Sequence, residues 1–282
     1  DIRPSRGLGD VYKRQQQAAS GIHHVFGLDA GMGLQIVVIT VVTLLAVVSV
    51  VRGIDGGVKV ISNINMIVAF LLLILVALIG YAVAFGNIGT TLMAYVENII
   101  PLSNPHGRQD EAWFQGWTVF YWAWWISWSP FVGMFIARVS KGRTVREFMT
   151  AVLLVPTVVT LLWMSVFGGI AIDQVVNNIG ELGANGLTDV SLAMFQMFDV
   201  LPFGTVLSII AVILVLVFFI TSSDSGSLVI DSITAGGKVD APVLQRVFWA
   251  FMEGAIAVAL LWVGGTEAVS YTHLRAHETV VY

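Results

Sequence analysis

Five tryptophans lie within twelve residues of the stretch WTVFYWAWWISWSPF, which covers residues 117–131. They are Trp117, Trp122, Trp124, Trp125 and Trp128. Indole faces are the strongest π partners for a cation, and a quaternary ammonium ligand is held where several such faces converge on it. This spacing therefore indicates a site for a cationic ligand.

Two other interpretations of the tryptophans need weighing. Tryptophan is enriched at both membrane interfaces, and Trp117 suits such a belt. At a helical rise of about 1.5 Å per residue, Trp128 lies roughly 16 Å further along, which is too deep for a belt in a hydrocarbon core of roughly 30 Å. A buried packing cluster stays open from the spacing alone. Ser129 and Pro130 favour a cavity, because broken helices at membrane depth are tolerated where they line one or are buried in protein.

The composition places this chain in a bilayer. Hydrophobic residues make up 57% and charged residues 11% of its 282 residues, and its mean hydropathy is +0.85. There is no cysteine, and the five histidines show no metal-ligand spacing. The net charge of -4 is small and dispersed, which argues against nucleic acid as a partner. We therefore expect neither an enzyme nor a cofactor-binding protein.

Six apolar segments, each near or above the roughly 20 residues needed to span a bilayer, predict an all-α polytopic membrane protein. They cover approximately residues 34–52, 65–85, 117–138, 148–172, 203–227 and 245–264. Lysine and arginine follow the first, third and fifth segments, whereas residues 173–202 contain neither, so the basic connections are predicted to be cytoplasmic. Residues 91–101 are apolar but too short to span, which favours an interfacial helix over a plain loop.

A cluster of polar residues interrupts the fifth segment. It comprises Thr221, Ser222, Ser223, Asp224 and Ser225, which directly follow an apolar run that includes Phe218. Hydroxyl and carbonyl oxygens suit a hard cation such as Na⁺. The alternative is that these hydroxyls bond back to their own helix or to a neighbouring one, which is common in membranes.

Two acidic residues lie at membrane depth in the last two segments. Asp224 and Glu253 would be expensive facing lipid, so each is predicted to face protein or water. Asp224 adjoins the hydroxyl cluster and is a candidate for tuning ion coupling or gating. For Glu253 we expect a structural, protein-facing role.

Both ends of the chain differ from the rest. Residues 1–15 and 269–282 resemble translated sequencing-adapter sequence, and we exclude them from the fold analysis as non-native tails. The native region is then expected to cover 16–268 as an internal fragment of a longer protein.

The longest motif resembles a signature of the betaine/choline/carnitine transporter (BCCT) family. It is WTVFYWAWWISWSPFVGMFIARVSKGRTVREF, at 117–148. SNINM at 62–66 and FFITSSDSGSLVID at 218–231 resemble two further blocks of the family, and they occur along this chain in the family's order. The resemblance implies a leucine-transporter-type inverted-repeat fold with twelve transmembrane helices. This chain would hold about the sixth to the eleventh.

The resemblance also implies two sites. The family pattern WWxxW, matched here by Trp124, Trp125 and Trp128, helps to form an aromatic box around a trimethylammonium group. The pattern FxxTS, matched by Phe218, Thr221 and Ser222, supplies half of a sodium site in sodium-coupled members, whose other half comes from the third helix.

The function expected from this resemblance is secondary active uptake of betaine, choline or carnitine for osmoprotection, with Na⁺ as coupling ion and no other metal or cofactor. The expected setting is the bacterial inner membrane, surrounded by lipid and, as the family implies, as a homotrimer. A proton-coupled choline carrier and a cation-independent substrate/product exchanger are the alternatives within the family. A channel or a non-transporting membrane sensor is the alternative from another class.

Overall fold

The computed structural model describes residues 9–53, 56–57, 59–185, 189–238 and 242–263, whose regular elements are helices, with no β-strand among them. The helices are α1 Gly9–Phe26, α2 Met32–Gly53, α3 Lys59–Ile79, α4 Tyr81–Ser103, α5 Glu111–Phe114, α6 Phe120–Val139, α7 Val145–Trp163, α8 Gly169–Val176, α9 Gly180–Asn185, α10 Ala193–Asp199, α11 Gly204–Thr234 and α12 Val243–Trp262. One π-helical turn, Gln115–Val119, joins α5 to α6, and another, Met164–Gly168, joins α7 to α8. The predicted all-α class is confirmed. Most of the two predicted tails falls outside the described residues, and their boundaries stay a prediction.

Five helical segments within the described residues are long and apolar enough to cross a membrane. They are Met32–Gly53, Lys59–Ile79, Val145–Val176, Gly204–Thr234 and Val243–Trp262. The remaining predicted segment, 117–138, begins in the π-helical turn and continues into the 20-residue helix α6. Its length suffices, but its tryptophans, tyrosine and serines lower its hydropathy below that of the other five.

The second predicted segment, 65–85, is divided at Gly80, where α3 ends and α4 begins. A Cβ atom at Gly80 would lie 2.5 Å from the terminal methyl group of Ile170, so α8 approaches this point closely. The prediction of a short helix at 91–101 was wrong in its length. Those residues belong to α4, which runs for 23 residues and accommodates Gly86 and Gly89 in its interior.

The largest hydrophobic cluster lies where α3, α8, α10 and α11 meet around the π-helical turn of Met164–Gly168. Part of it comes from the connection 173–202, which contains neither lysine nor arginine. The described part of that connection contains α9 and α10, and Phe195 and Phe198 of α10 are fully buried. The short helices therefore seal one end of the bundle, and α1 packs on them through Gly21, where a Cβ would lie 2.4 Å from the Phe195 ring.

Helix α11 is the central element of the fold and packs against α1, α2, α3, α10 and α12. A second cluster joins it to α1 and α2, and a third joins α2 to α12. Helices α2 and α12 approach closely at Gly254, where a Cβ would lie 2.3 Å from the Thr43 hydroxyl oxygen.

Helices α6 and α7 contribute little to this core. Among the described residues α7 has no buried side chain, and α6 makes only a limited contact with α11. The start of α7 is nevertheless well defined, because the Thr144 hydroxyl and the Glu147 carboxylate cap each other's backbone N–H groups.

Candidate substrate and ion sites

Arg108 fixes the entry of the chain into the tryptophan-rich helix. Its guanidinium donates to the Pro101 carbonyl at 2.9 Å, so it occupies the C-terminal end of α4, where a positive charge is favoured. The same group lies 4.7 Å from the centre of the Phe114 ring in α5. It also donates to Asp110, and this hydrogen bond lowers the pKa of the Asp110 carboxyl. Helix α5 and the π-helical turn before α6 are thus held against α4.

Helix α6 continues through Pro130 without a break, although Ser129 and Pro130 suggested an interruption. Proline lacks the N–H group that would donate to the carbonyl of Ile126, four residues earlier. The Ser129 hydroxyl donates to that carbonyl instead, at 2.9 Å. The side chain replaces the missing backbone donor, which explains why the helix persists.

The three tryptophans predicted to bind substrate lie on α6 but do not close around a common point. Trp124 is half-buried, Trp125 is 70% exposed and Trp128 is 37% exposed. The Trp124 ring packs edge-on against Tyr121, with centroids 5.9 Å apart, and Trp128 packs on Phe131 at 5.3 Å. Among the described residues, the three indoles are not paired with one another.

An open groove of about 550 Å³ runs along the exposed side of α6. Its lining residues are Tyr121, Trp122, Trp125, Ile126 and Ser129. Trp125 therefore faces this groove, whereas Trp124 and Trp128 lie to one side of it. Tyr121 also stacks on Trp117, with ring centroids 6.0 Å apart, which agrees with an ordinary packing role.

The residues predicted to bind sodium lie one turn apart on α11. Phe218 is 47% exposed, Ser222 is exposed and Thr221 is half-buried. The Thr221 hydroxyl donates to the Phe218 carbonyl at 2.9 Å, so its oxygen keeps lone pairs that can accept or coordinate. The structure thus brings the three residues together on one helix, and their part in ion binding stays a prediction.

Asp224 points away from the exposed Ser222 and into the bundle. It is fully buried, and one carboxylate oxygen accepts a hydrogen bond from the Ser49 hydroxyl of α2 at 2.5 Å. Glu253 of α12 accepts a hydrogen bond from Ser223 at 2.8 Å. Both acids therefore face protein, as their cost in lipid requires.

The sequence analysis missed Asp231, a second fully buried acid on α11. It pairs with Arg246 of α12, whose Nε lies 3.1 Å from its carboxylate. The signal was present, because Asp231 follows Asp224 by seven residues and so falls on the same face of the helix. Gln245 and Trp249 donate to the Thr234 hydroxyl, each at 3.0 Å, and secure the same end of α11 to α12.

These elements define a multi-pass integral membrane protein with an indole-rich helix and buried polar contacts between spans. A family profile for BCCT, betaine/carnitine/choline family transporters, matches residues 13–276. The chain belongs to this family, whose members are transporters and not enzymes.

Several relatives are similar over nearly the whole chain. Glycine betaine transporter 1 of Vibrio parahaemolyticus is 84% identical over 280 residues, which is 99% of this chain and 53% of the relative. A glycine betaine/proline/choline/ectoine transporter of the same organism is 70% identical over 95% of this chain and 47% of the relative. Glycine betaine transporter OpuD of Bacillus subtilis is 38% identical over 98% of this chain and 53% of the relative. The chain thus spans about half the length of the curated relatives it matches.

Proposed function

We propose that this chain is part of a secondary transporter that takes up glycine betaine or a related quaternary ammonium solute. The observation that carries the proposal is the run of indoles on α6, with Trp124, Trp125 and Trp128 as the cation-contacting residues. Glycine betaine is the first candidate because the relative with 84% identity bears that name. Choline and carnitine share its trimethylammonium group, so the same aromatic contacts would hold them.

We infer that sodium drives this uptake and that Phe218, Thr221 and Ser222 contribute one side of the ion site. Oxygen atoms on a transmembrane helix are the ligands a hard cation prefers, and carriers commonly place such ions near the bilayer midplane. Asp224 adjoins these residues and is proposed to tune coupling or gating. The proposed setting is a bacterial inner membrane, where the transporter acts as a homotrimer in osmoprotection without a cofactor.

Sodium titration of uptake tests this proposal. The full-length transporter is expressed in cells that lack betaine uptake, and labelled glycine betaine is supplied while sodium is replaced by potassium. Changing Thr221→Ala and Ser222→Ala together removes two oxygen ligands that lipid cannot replace, so the sodium concentration for half-maximal uptake is expected to rise about tenfold or more, equivalent to roughly 1.4 kcal/mol.

Thr157→Ala is the matched control, because this hydroxyl on α7 donates only within its own helix, to Leu153. Its sodium dependence should equal that of the unmodified protein. Uptake that is indifferent to sodium but follows a pH gradient would indicate a proton-coupled carrier instead. Uptake that occurs only into cells preloaded with substrate would indicate an exchanger.

A further inference from the structure

The hydroxyl of Ser223 donates its hydrogen bond to another helix, unlike the hydroxyls that donate within α11. Three nearby hydroxyls donate to backbone carbonyls of α11 itself, at 2.8 to 2.9 Å. They belong to Thr221, Ser225 and Ser227. Ser223 donates to Glu253, which lies on α12 and is 30 residues away in the chain. Its hydrogen bond therefore links two transmembrane helices.

The next residue, Asp224, bonds to a third helix through Ser49 of α2. Consecutive residues of an α-helix point about 100° apart, so the two bonds hold α11 from two directions. A helix held in this way cannot rotate about its axis without breaking one of them. Thr221 and Ser222 lie in the same turn, so their orientation is fixed by the same two contacts.

Gly226 makes room for the Glu253 side chain, and Gly254 lets the helix that carries Glu253 pack closely on α2. A Cβ at Gly226 of α11 would lie 2.8 Å from a carboxylate oxygen of Glu253, so this side chain rests directly on the α11 backbone. The next residue on α12, Gly254, allows the close approach to Thr43 of α2. Glu253 is thus confined between α11 and its own tightly packed helix.

Glu253 has no cationic partner among the described residues, where the α11–α12 ion pair is formed by Asp231 and Arg246. An acidic side chain at membrane depth is costly, and such residues are rare unless they contribute to function. A serine, or an apolar side chain of similar volume, would pack α11 against α12 at lower cost. The position of Glu253 beside the proposed ion ligands gives it a role beyond packing.

We propose that Glu253 is a positioning residue for the ion site on α11. Through Ser223 it holds the rotation of the turn that carries Thr221 and Ser222, while Ser49 does the same through Asp224. This inference rests on the proposed sodium coupling, because it assigns Glu253 a part in that same site.

The test is sodium-dependent uptake by the full-length transporter with Glu253→Ala, Ser223→Ala and both together. Interhelical hydrogen bonds in membranes contribute about 0.6 to 1.7 kcal/mol, so each single change should raise the sodium concentration for half-maximal uptake by a factor between about three and about seventeen. The double variant should be no worse than Glu253→Ala alone, since that change already removes the bond to Ser223. The substrate KM at saturating sodium should stay unchanged.

Conservative variants separate positioning from folding. Glu253→Gln keeps an oxygen that can accept from Ser223 and is expected to retain nearly normal sodium dependence. Gly226→Ala pushes the carboxylate aside without removing it and should shift sodium dependence even where Glu253→Ala fails to reach the membrane. Ser208→Ala is the matched control, because this buried hydroxyl of α11 has no hydrogen-bond partner among the described residues.

Three outcomes would overturn the inference. If Glu253→Ala lowers the amount of active transporter but leaves the sodium half-saturation unchanged, while Thr221→Ala with Ser222→Ala shifts it, the ion site stands and the positioning role fails. If the double variant is additive, the two side chains do not act through one bond. If neither the Thr221 and Ser222 changes nor the Glu253 and Ser223 changes alter the sodium dependence of uptake, the proposed sodium site itself fails. Glu253 then has no ion site to position.

Discussion

Helices α11 and α12 bind other helices of the chain through buried polar side chains, whereas α6 and α7 present their aromatic and apolar side chains outward. In the first pair, Asp224 and Asp231 are fully buried, and each accepts a hydrogen bond from another helix. In the second pair, Trp125 is largely exposed and α7 has no buried residue among those described. The first pair is here named the polar-linked pair and the second the open pair.

The difference follows from what a bilayer tolerates. A carboxylate facing hydrocarbon is costly, so an acid within a span must find its partner on a neighbouring helix. An indole is apolar over most of its surface and can face lipid or another protein surface without such a partner. Contacts within the chain therefore position the proposed ion residues on α11. The exposed indoles of α6 have few such contacts, so their environment depends on the lipid or protein that lies against α6.

The largest expected effect comes from Arg246→Ala in the polar-linked pair. This change leaves the Asp231 carboxylate buried without its cation, which typically costs about 3 to 5 kcal/mol. Thermal unfolding of the purified full-length transporter in detergent measures the loss. The double variant Asp231→Leu with Arg246→Met removes both charges and should recover most of the stability. Equal stability of Arg246→Ala and the unmodified protein would show that this contact does not hold α11 to α12.

A pair of glycine substitutions is expected to act with opposite signs in the two regions. Gly254→Ala places a methyl group 2.3 Å from the Thr43 hydroxyl and should destabilise the protein by about 1 to 3 kcal/mol. Gly133→Ala, on α6, meets no atom within 4 Å and should stabilise its helix by about 0.5 to 1 kcal/mol. The same unfolding assay measures both. If both substitutions stabilise the protein, or both destabilise it, the two helix pairs do not differ in packing as proposed.

The change expected for Trp128 should appear in ligand binding and leave stability nearly unaffected. Trp128→Ala in the full-length transporter should weaken glycine betaine binding by about 1 to 2 kcal/mol, the range for a cation-π contact. Trp128→Phe keeps an aromatic face and should bind better than Trp128→Leu. Calorimetric titration compares the three variants. If the Phe and Leu variants bind equally well, the indoles are packing residues.

The positions of the helices could largely be predicted from the sequence, but their exact limits could not. Hydropathy located the spans now seen as α2, α3, α11 and α12, because runs of apolar residues are a strong local signal. At the break, Gly80 is approached closely by Ile170, which lies 90 residues further along the chain, so this contact leaves no local trace in the sequence. Because the start of α4 at Tyr81 depends on this break, the sequence did not show that residues 81–103 form one long helix.

The polar contacts show the same limit. The sequence was sufficient to predict that Asp224 and Glu253 face protein, because the cost of an acid in lipid does not depend on the fold. Their partners could not be named. Ser49 is separated from Asp224 by 175 residues and Ser223 from Glu253 by 30, so only the packing of α2, α11 and α12 brings them together.

The π-helical turn at Gln115–Val119 sets the phase of every side chain that follows it on α6. Such a turn holds one residue more than an α-helical turn, so later side chains are displaced by about 100° around the axis relative to an unbroken α-helix. A single residue in this connection thus sets the direction in which the indoles of α6, and the groove that they line, face relative to the rest of the bundle. Deleting one residue there would re-aim the whole aromatic face of α6 while leaving each tryptophan in the sequence.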